Sequence, residues 1–547
     1  SIPNRTAQIT IKLPTATFFF IRSSNTLRTY SVFKFRTLLP PCLYYFPDYN
    51  TSLIPWTPPF NYVILVDIEK EEPIMAVQAS LGKNFIMNIL LAASSLIFPL
   101  ITYPYVSRIL LPDGTGRVAF AVSVVSYFTM TASLGIPTYG IRACAGVRDD
   151  KKGLSQTVQE IFLINAAMTL LVCLVFALCL AFVPKFQDDR VLFLVCGISL
   201  LFNLVGMEWL YKALEQYQYI TFRSIAFKAL SVVLMFAMIR SQEDYLQYGF
   251  LTIFASVGSN IFNFFHARRY ITFVPQRPYH LKRHLRPILI LFALTVTTTI
   301  YTNLDTVMLG FLKDSETVGY YNAAVKIKEL LATIVAGLGS VLLPRISYYI
   351  KNRQFEKFRE LIRRSFAFVT VFAIPLCVYF IVMSDYSIDL FYGPAYENSV
   401  LPMRLILPTL ICIGLTNTIG IQILVPTDRE KLVVYSTCAG AVTDLILNAV
   451  LIPVLGASGA ALGTLAAEIV VLLVQLWFIR GEIRSFCTLM QLKKILLALV
   501  PATVILLFLH TALHLHTFFM LCVTAAVFFP VYLVVLLLLR YKIKLRG

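Results

Sequence analysis

Three carboxylates and several cations interrupt stretches of this chain that are otherwise apolar. An ionisable group in such a setting costs several kcal/mol unless it is paired, hydrated or put to use. Asp305 falls within 286–310, Asp444 within 432–453 and Glu468 within 457–479. Asp444 and Glu468 lie near the middles of two tightly joined segments. There they suit binding of a proton or Na⁺ that couples a cycle to an ion gradient, or plain hydrogen bonding to Asn448, Thr443 or Thr464. Lys326 and Lys328 follow Asp305 a turn or two into the next segment, where a cation offsets an anionic ligand, pairs with Asp305 or snorkels to the interface. Arg108 and Arg404 sit near segment ends and have the same choices. Glu208 beside Trp209, with Glu215, Arg223 and Lys228, reads as an interfacial ion-pair cluster with an aromatic anchor, or as a gate at the cytoplasmic side. His280 and His284 are spaced HxxxH in a basic stretch with no third ligand, so no metal site is expected. No P-loop is encoded and the ten Cys form no CxxC pair, so the sequence calls for no cofactor beyond a coupling H⁺ or Na⁺.

These residues need a scaffold that lipid can solvate. Of 547 residues, 58% are hydrophobic and 14% charged, with mean hydropathy +0.75, too apolar for a water-soluble core. The net charge of +18 does not point to nucleic acid, because Lys and Arg occupy short gaps between apolar runs. Those runs are about 20 residues long, the length that crosses a bilayer. They fall at 84–110, 117–139, 157–183, 190–211, 220–239, 244–265, 286–310, 321–345, 365–385, 401–425, 432–453, 457–479, 494–512 and 516–539. One alternate set of gaps is basic, with five Lys and Arg in 266–285 and six in 346–364; the other set holds three in all. Positive charge stays in the cytoplasm, which puts both ends of the helical body inside. All outer gaps are short, which leaves no room for an extracytoplasmic catalytic domain.

Residues 1–74 read differently. They carry nine Pro and no Met, and their apolar runs are broken. Lys70-Glu71-Glu72 can be encoded as AAGGAGGAA, which resembles a bacterial ribosome-binding site ahead of Met75. The expectation is a translated upstream leader, disordered or not native, before a body that starts at Met75.

An internal repeat divides the body. Ile109-Leu110-Leu111-Pro112-Asp113-Gly114-Thr115-Gly116 runs into Arg117-Val118-Ala119-Phe120-Ala121, and Gly310 to Gly319 runs into Tyr320-Tyr321-Asn322-Ala323-Ala324. Each copy is a span, a turn with Asp and Gly, and a second span that opens on aromatic and small residues. Both run from inside to outside, as in parallel repeats about an axis along the membrane normal, an arrangement suited to alternating access. The expected architecture is therefore all-α and polytopic with about fourteen transmembrane helices. A six-helix lobe at 75–285 and a second at 286–480 are followed by two added helices at 481–547.

Several stretches in combination resemble the oligosaccharide flippases of the MOP exporter superfamily (multidrug, oligosaccharidyl-lipid, polysaccharide). They are Leu304-Asp305-Thr306-Val307-Met308-Leu309-Gly310-Phe311, Val318-Gly319-Tyr320-Tyr321-Asn322-Ala323-Ala324-Val325-Lys326-Ile327, Gly206-Met207-Glu208-Trp209-Leu210-Tyr211, Leu343-Pro344-Arg345-Ile346-Ser347 and Gly456-Ala457-Ser458-Gly459-Ala460-Ala461. The resemblance covers about residues 78–540. It implies a MATE-like fold in a bacterial inner membrane and export of polyprenyl-diphosphate-linked sugar repeat units to the outer leaflet for capsule, O-antigen or exopolysaccharide synthesis. Polysaccharide polymerase and glycosyltransferases are the partners it suggests. Under it, Lys326, Lys328, Arg108, Arg404 and Asp305 become candidate substrate-binding residues. A multidrug or cation antiporter of the same superfamily is the alternative; a membrane polymerase fits less well, for want of a long outer loop.

Overall fold

The computed structural model describes residues 8–13, 16–23, 26–27, 81–482 and 489–539. The chain separates into two compact units, Ser1–Pro73 and Ile74–Gly547. In the first, β1 (Gln8–Leu13), β2 (Ala16–Ser23) and β3 (Thr26–Leu27) form an antiparallel sheet in the order β1-β2-β3. The expectation that residues 1–74 are a disordered leader falls mostly on residues outside the described ones.

The second unit is helical. Its principal helices are α1 (Leu81–Ser133), α2 (Ile136–Ala145), α3 (Lys151–Phe182), α4 (Arg190–Gly206), α5 (Tyr217–Met238), α6 (Tyr245–Ile253), α7 (Lys282–Leu312) and α8 (Ser315–Lys351). They continue as α9 (Phe355–Val382), α10 (Ser384–Tyr392), α11 (Glu430–Leu455), α12 (Ala457–Phe478), α13 (Leu489–Ala512) and α14 (Thr517–Leu538). Large apolar side chains face outward, as with Leu170 at 74% exposure and Val454 at 79%, while Glu160, Asp444 and Asn448 are buried. That inversion of the soluble pattern is what lipid as solvent requires. The protein is a multi-pass membrane protein.

By length and composition eleven helices among the described residues can cross a membrane, or twelve if a bent pair counts as one span. That pair, Pro394–Ile406 and Thr409–Leu424, bends by 44° around Pro408. The sequence count of fourteen differs at two places. The first two expected spans lie in one stretch, α1, which breaks at Leu111 (φ 55°) just ahead of Pro112, a residue that disfavours helix before it. The expected span 321–345 lies in the 37-residue helix α8, which is not among the eleven.

The helix breaks alternate between two ends of the bundle. Leu111, Lys313, Gly393 and Gly456 mark the low-charge end; the connections around 146–150, 268–281 and 425–429 mark the basic end. At the low-charge end the two copies of the repeat meet. A Cβ on Gly116 would lie 1.8 Å from the Ser315 carbonyl oxygen, and one on Gly319 would lie 2.1 Å from that of Pro112. Gly116 corresponds to Gly319 and Pro112 to Ser315 in the repeat, so the two contacts are reciprocal. Only glycine allows backbones to come this close.

Candidate functional site

The buried carboxylates gather where α7, α8, α11 and α12 converge. Asp305 of α7 accepts hydrogen bonds from Asn448 Nδ2 of α11 at 2.6 Å, from Thr464 Oγ1 of α12 at 2.7 Å and from the Tyr321 hydroxyl of α8. The Asp444 carboxyl, one turn from Asn448, lies against that of Asp305 and is 1% exposed. Among the described residues, Asp444 Oδ1 and Asn448 Oδ1 have no hydrogen-bond donor. Both face Gly463, where a Cβ would come within 2.2 Å of Asn448 Oδ1 and 3.3 Å of Asp444 Oδ1. Two carboxylates in a medium of low dielectric need a positive charge between them. The oxygens of Asp305, Asp444, Asn448 and Thr464 are therefore arranged to take a proton or a small cation. The Tyr127 hydroxyl of α1 is buried and has no partner among the described residues.

This grouping differs from the sequence expectation. Asp305 joins Asp444 and is not a partner of Lys326. Glu468 is buried one turn along α12 from Thr464, beside Tyr301 and within reach of the Lys328 charge. Lys326 Nζ instead pairs with Glu329 at 2.8 Å and lies near Tyr103. Tyr103 stacks on Tyr392 at 5.8 Å, and Tyr392 packs on Tyr396 at 5.1 Å. Here an aromatic wall surrounds a cation already neutralised by its neighbour.

Arg108 and Arg404 lie at the low-charge end. Arg108 donates to the carbonyls of Pro104 at 2.6 Å, Asp389 at 2.9 Å and Leu390 at 2.8 Å, which ties α1 to the C-terminal turn of α10. Cations are favoured there by the carbonyls that a helix end leaves unpaired. Ser107 adds a bond to Phe391 O at 3.2 Å, and Thr115 pairs with the Tyr396 hydroxyl at 2.7 Å. Arg404 donates to Ser384 Oγ at 2.6 Å on the wall of a surface cavity of about 680 Å³ that also includes Tyr320, Asp385 and Glu397.

Glu208, Arg223 and Lys228 of the expected cluster each have a nearer partner than one another. Glu208 pairs with Lys212 at 3.5 Å, Glu215 with Arg148 at 2.9 Å, and Arg223 donates to Ser259 O at 3.1 Å beside the π-helical turn Phe254–Gly258. Lys228 Nζ donates to Ser94 Oγ at 3.1 Å and Ser95 Oγ at 2.8 Å. The sequence reading passed over Glu160. This fully buried residue of α3 accepts from His280 N at 2.8 Å, Arg283 NH2 at 2.8 Å and His284 Nε2 at 2.6 Å. His284 Nδ1 shares a hydrogen bond with the Tyr139 hydroxyl at 2.7 Å. The HxxxH pair thus anchors the basic connection before α7. Among the described residues no three His, Cys, Asp or Glu side chains converge to hold a metal.

A polytopic helical bundle with an internal repeat and a buried polar cluster is the kind of scaffold on which membrane transporters are built. The family described as "Polysaccharide biosynthesis protein" matches residues 81–350, and the MatE family matches residues 290–450. An Escherichia coli (strain K12) protein named "Putative O-antigen transporter" is 23% identical over 411 residues, 75% of this chain and 99% of its own. Among solved structures, "Lipid II flippase MurJ, inward closed conformation" superimposes with a TM-score of 0.66 at 16% identity, over 83% of this chain and 97% of its own. An inward-facing multidrug resistance MATE family transporter superimposes with a TM-score of 0.53 at 13% identity, over 74% of this chain and 98% of its own. The chain is similar to the membrane transporters of the MOP exporter superfamily and has the MATE-like fold.

Proposed function

We propose that this transporter flips polyprenyl-diphosphate-linked oligosaccharide repeat units from the cytoplasmic to the outer leaflet, driven by H⁺ or Na⁺ bound at Asp305 and Asp444. The low-charge end then faces outward and the basic end the cytoplasm of a bacterial cell. The observation that carries the ion-coupled mechanism is the Asp305–Asp444–Asn448–Thr464 cluster with its two unpartnered oxygens. It joins α7, α11 and α12, so occupancy of one small site biases how those helices sit together. The resemblance to polysaccharide-export relatives supports the cargo. The substrate enters from the basic end while the Arg108 and Gly116–Gly319 contacts hold the opposite end shut, and leaves when they part.

The test is transfer of labelled lipid-linked repeat units across proteoliposomes under imposed pH and Na⁺ gradients. Wild-type transfer rises with one gradient, and Asp444→Asn abolishes that response. Transfer by wild type that ignores both gradients overturns the coupling, and no transfer of any lipid-linked glycan overturns the cargo. A multidrug or cation antiporter is a second reading, favoured by the tyrosine wall around the neutral Lys326–Glu329 pair. Uptake of a lipophilic cation in the same vesicles separates the two.

A further inference from the structure

Helices α1 and α5 run side by side in strict register. Thr221 Oγ1 donates to Met87 O at 3.0 Å, Lys228 Nζ to Ser94 Oγ at 3.1 Å and the Tyr105 hydroxyl to Ile239 O at 2.8 Å, each pair 134 residues apart. At 1.5 Å per residue Lys228 lies about 10 Å from the Thr221 contact and about 16 Å from Ile239, near the middle of the span. No carboxylate pairs with it within 4 Å among the described residues; Glu208 acts on it only at longer range and is engaged by Lys212. Its ligands are two hydroxyls, which carry no charge and pass their own protons to Leu91 O. Two other cations of the spans are served differently: Lys326 has Glu329, and Arg108 has three carbonyls. A mid-span ammonium held only by hydroxyls is stable where a mobile anion completes it. Ser94 is buried and Ser95 exposed, so the site is open on one side.

We infer that Lys228, Ser94 and Ser95 form the phosphate-binding site of this transporter and hold the diphosphate of the lipid carrier, while Lys326, neutralised by Glu329, faces the sugars. The inference rests on the flippase reading. An ammonium suits phosphate as a point charge, and the two hydroxyls turn to donate once an anion arrives.

The probe is farnesyl diphosphate, with farnesol as the uncharged control, titrated calorimetrically into the purified full-length protein in neutral detergent. Wild type prefers the diphosphate, Lys228→Gln weakens its binding about tenfold or more, and Lys228→Arg restores most of it. Lys313→Gln, remote from the site at the low-charge end, keeps wild-type binding. Should Lys228→Gln not elute as a single species, Ser94→Ala with Ser95→Ala is read by the same criterion. A greater loss with Lys326→Gln than with Lys228→Gln overturns the site and leaves the flippase reading standing. Equal binding of farnesyl diphosphate and farnesol by wild type overturns both. Displacement by an equal concentration of phosphatidylglycerol makes this a site for membrane phospholipid and also overturns the proposal.

Discussion

Replacing Gly319 by Ala tests whether the two repeat turns close the low-charge end. The added Cβ would stand 2.1 Å from the Pro112 carbonyl oxygen, more than 1 Å inside ordinary contact, and the obstructing atom is backbone, which has no rotamer to retreat into. Overpacking of a tight interface costs about 1–3 kcal/mol, and a backbone obstruction belongs at the upper end of that range. The penalty falls only on the closed state. It therefore multiplies the open-to-closed ratio by about 5 to 150. Ser107, 1% exposed and one turn ahead of the break at Leu111, reports the change. In a background without native cysteines, Ser107→Cys should resist a membrane-impermeant maleimide in the parent and react at least fivefold faster with Gly319→Ala. Gly116→Ala should act in the same direction, because its Cβ meets Ser315 O at 1.8 Å. Unchanged labelling in both glycine variants would falsify the assignment of this contact as the closure.

Two further perturbations probe the basic connection and the repeat turn. Glu160→Ala removes the acceptor shared by His280 N, Arg283 and His284; with Arg283 half exposed, the loss should be about 3 kcal/mol, seen as a lower Tm in detergent, with Glu160→Gln intermediate. Asp314 caps α8 by accepting from Thr317 N at 2.8 Å, and the Thr317 bonds hold its carboxyl below the usual carboxylate range. The cap is thus fully present above the unfolded pKa and lost as pH falls through the lower folded value. Asp314→Ala should cost about 1 kcal/mol at neutral pH and little in strong acid, as measured by Tm at both pH values.

The bundle was largely legible, because span length and the charge of the connections are local properties of a sequence. Partnerships between helices were not. Lys326 is close to Asp305 along the chain, yet Tyr321 takes that position; five residues further round α8, Lys326 points some 140° away. Asp444 and Asn448 could be singled out as buried polar groups, but not their union with Asp305, which depends on α7 packing against α11 and α12. Glu160 sits in an amphipathic stretch of α3, where an acid excites no notice until its partners arrive from more than a hundred residues away. Local charge suggested a grouping of Glu208, Arg223 and Lys228 but not the two serines that the parallel course of α1 and α5 brings to Lys228.

The reciprocal contacts of Gly116 with Ser315 and Gly319 with Pro112 have a geometric consequence. They are the two halves of an isologous joint folded into a single polypeptide, with its dyad passing between them. Rotation about that dyad lengthens both contacts together, and tilting across it strains both equally. The joint has no half-open state in which one contact holds while the other yields. It behaves as a single catch with two teeth, and a change of size on either side should travel through evolution with a compensating change on the other.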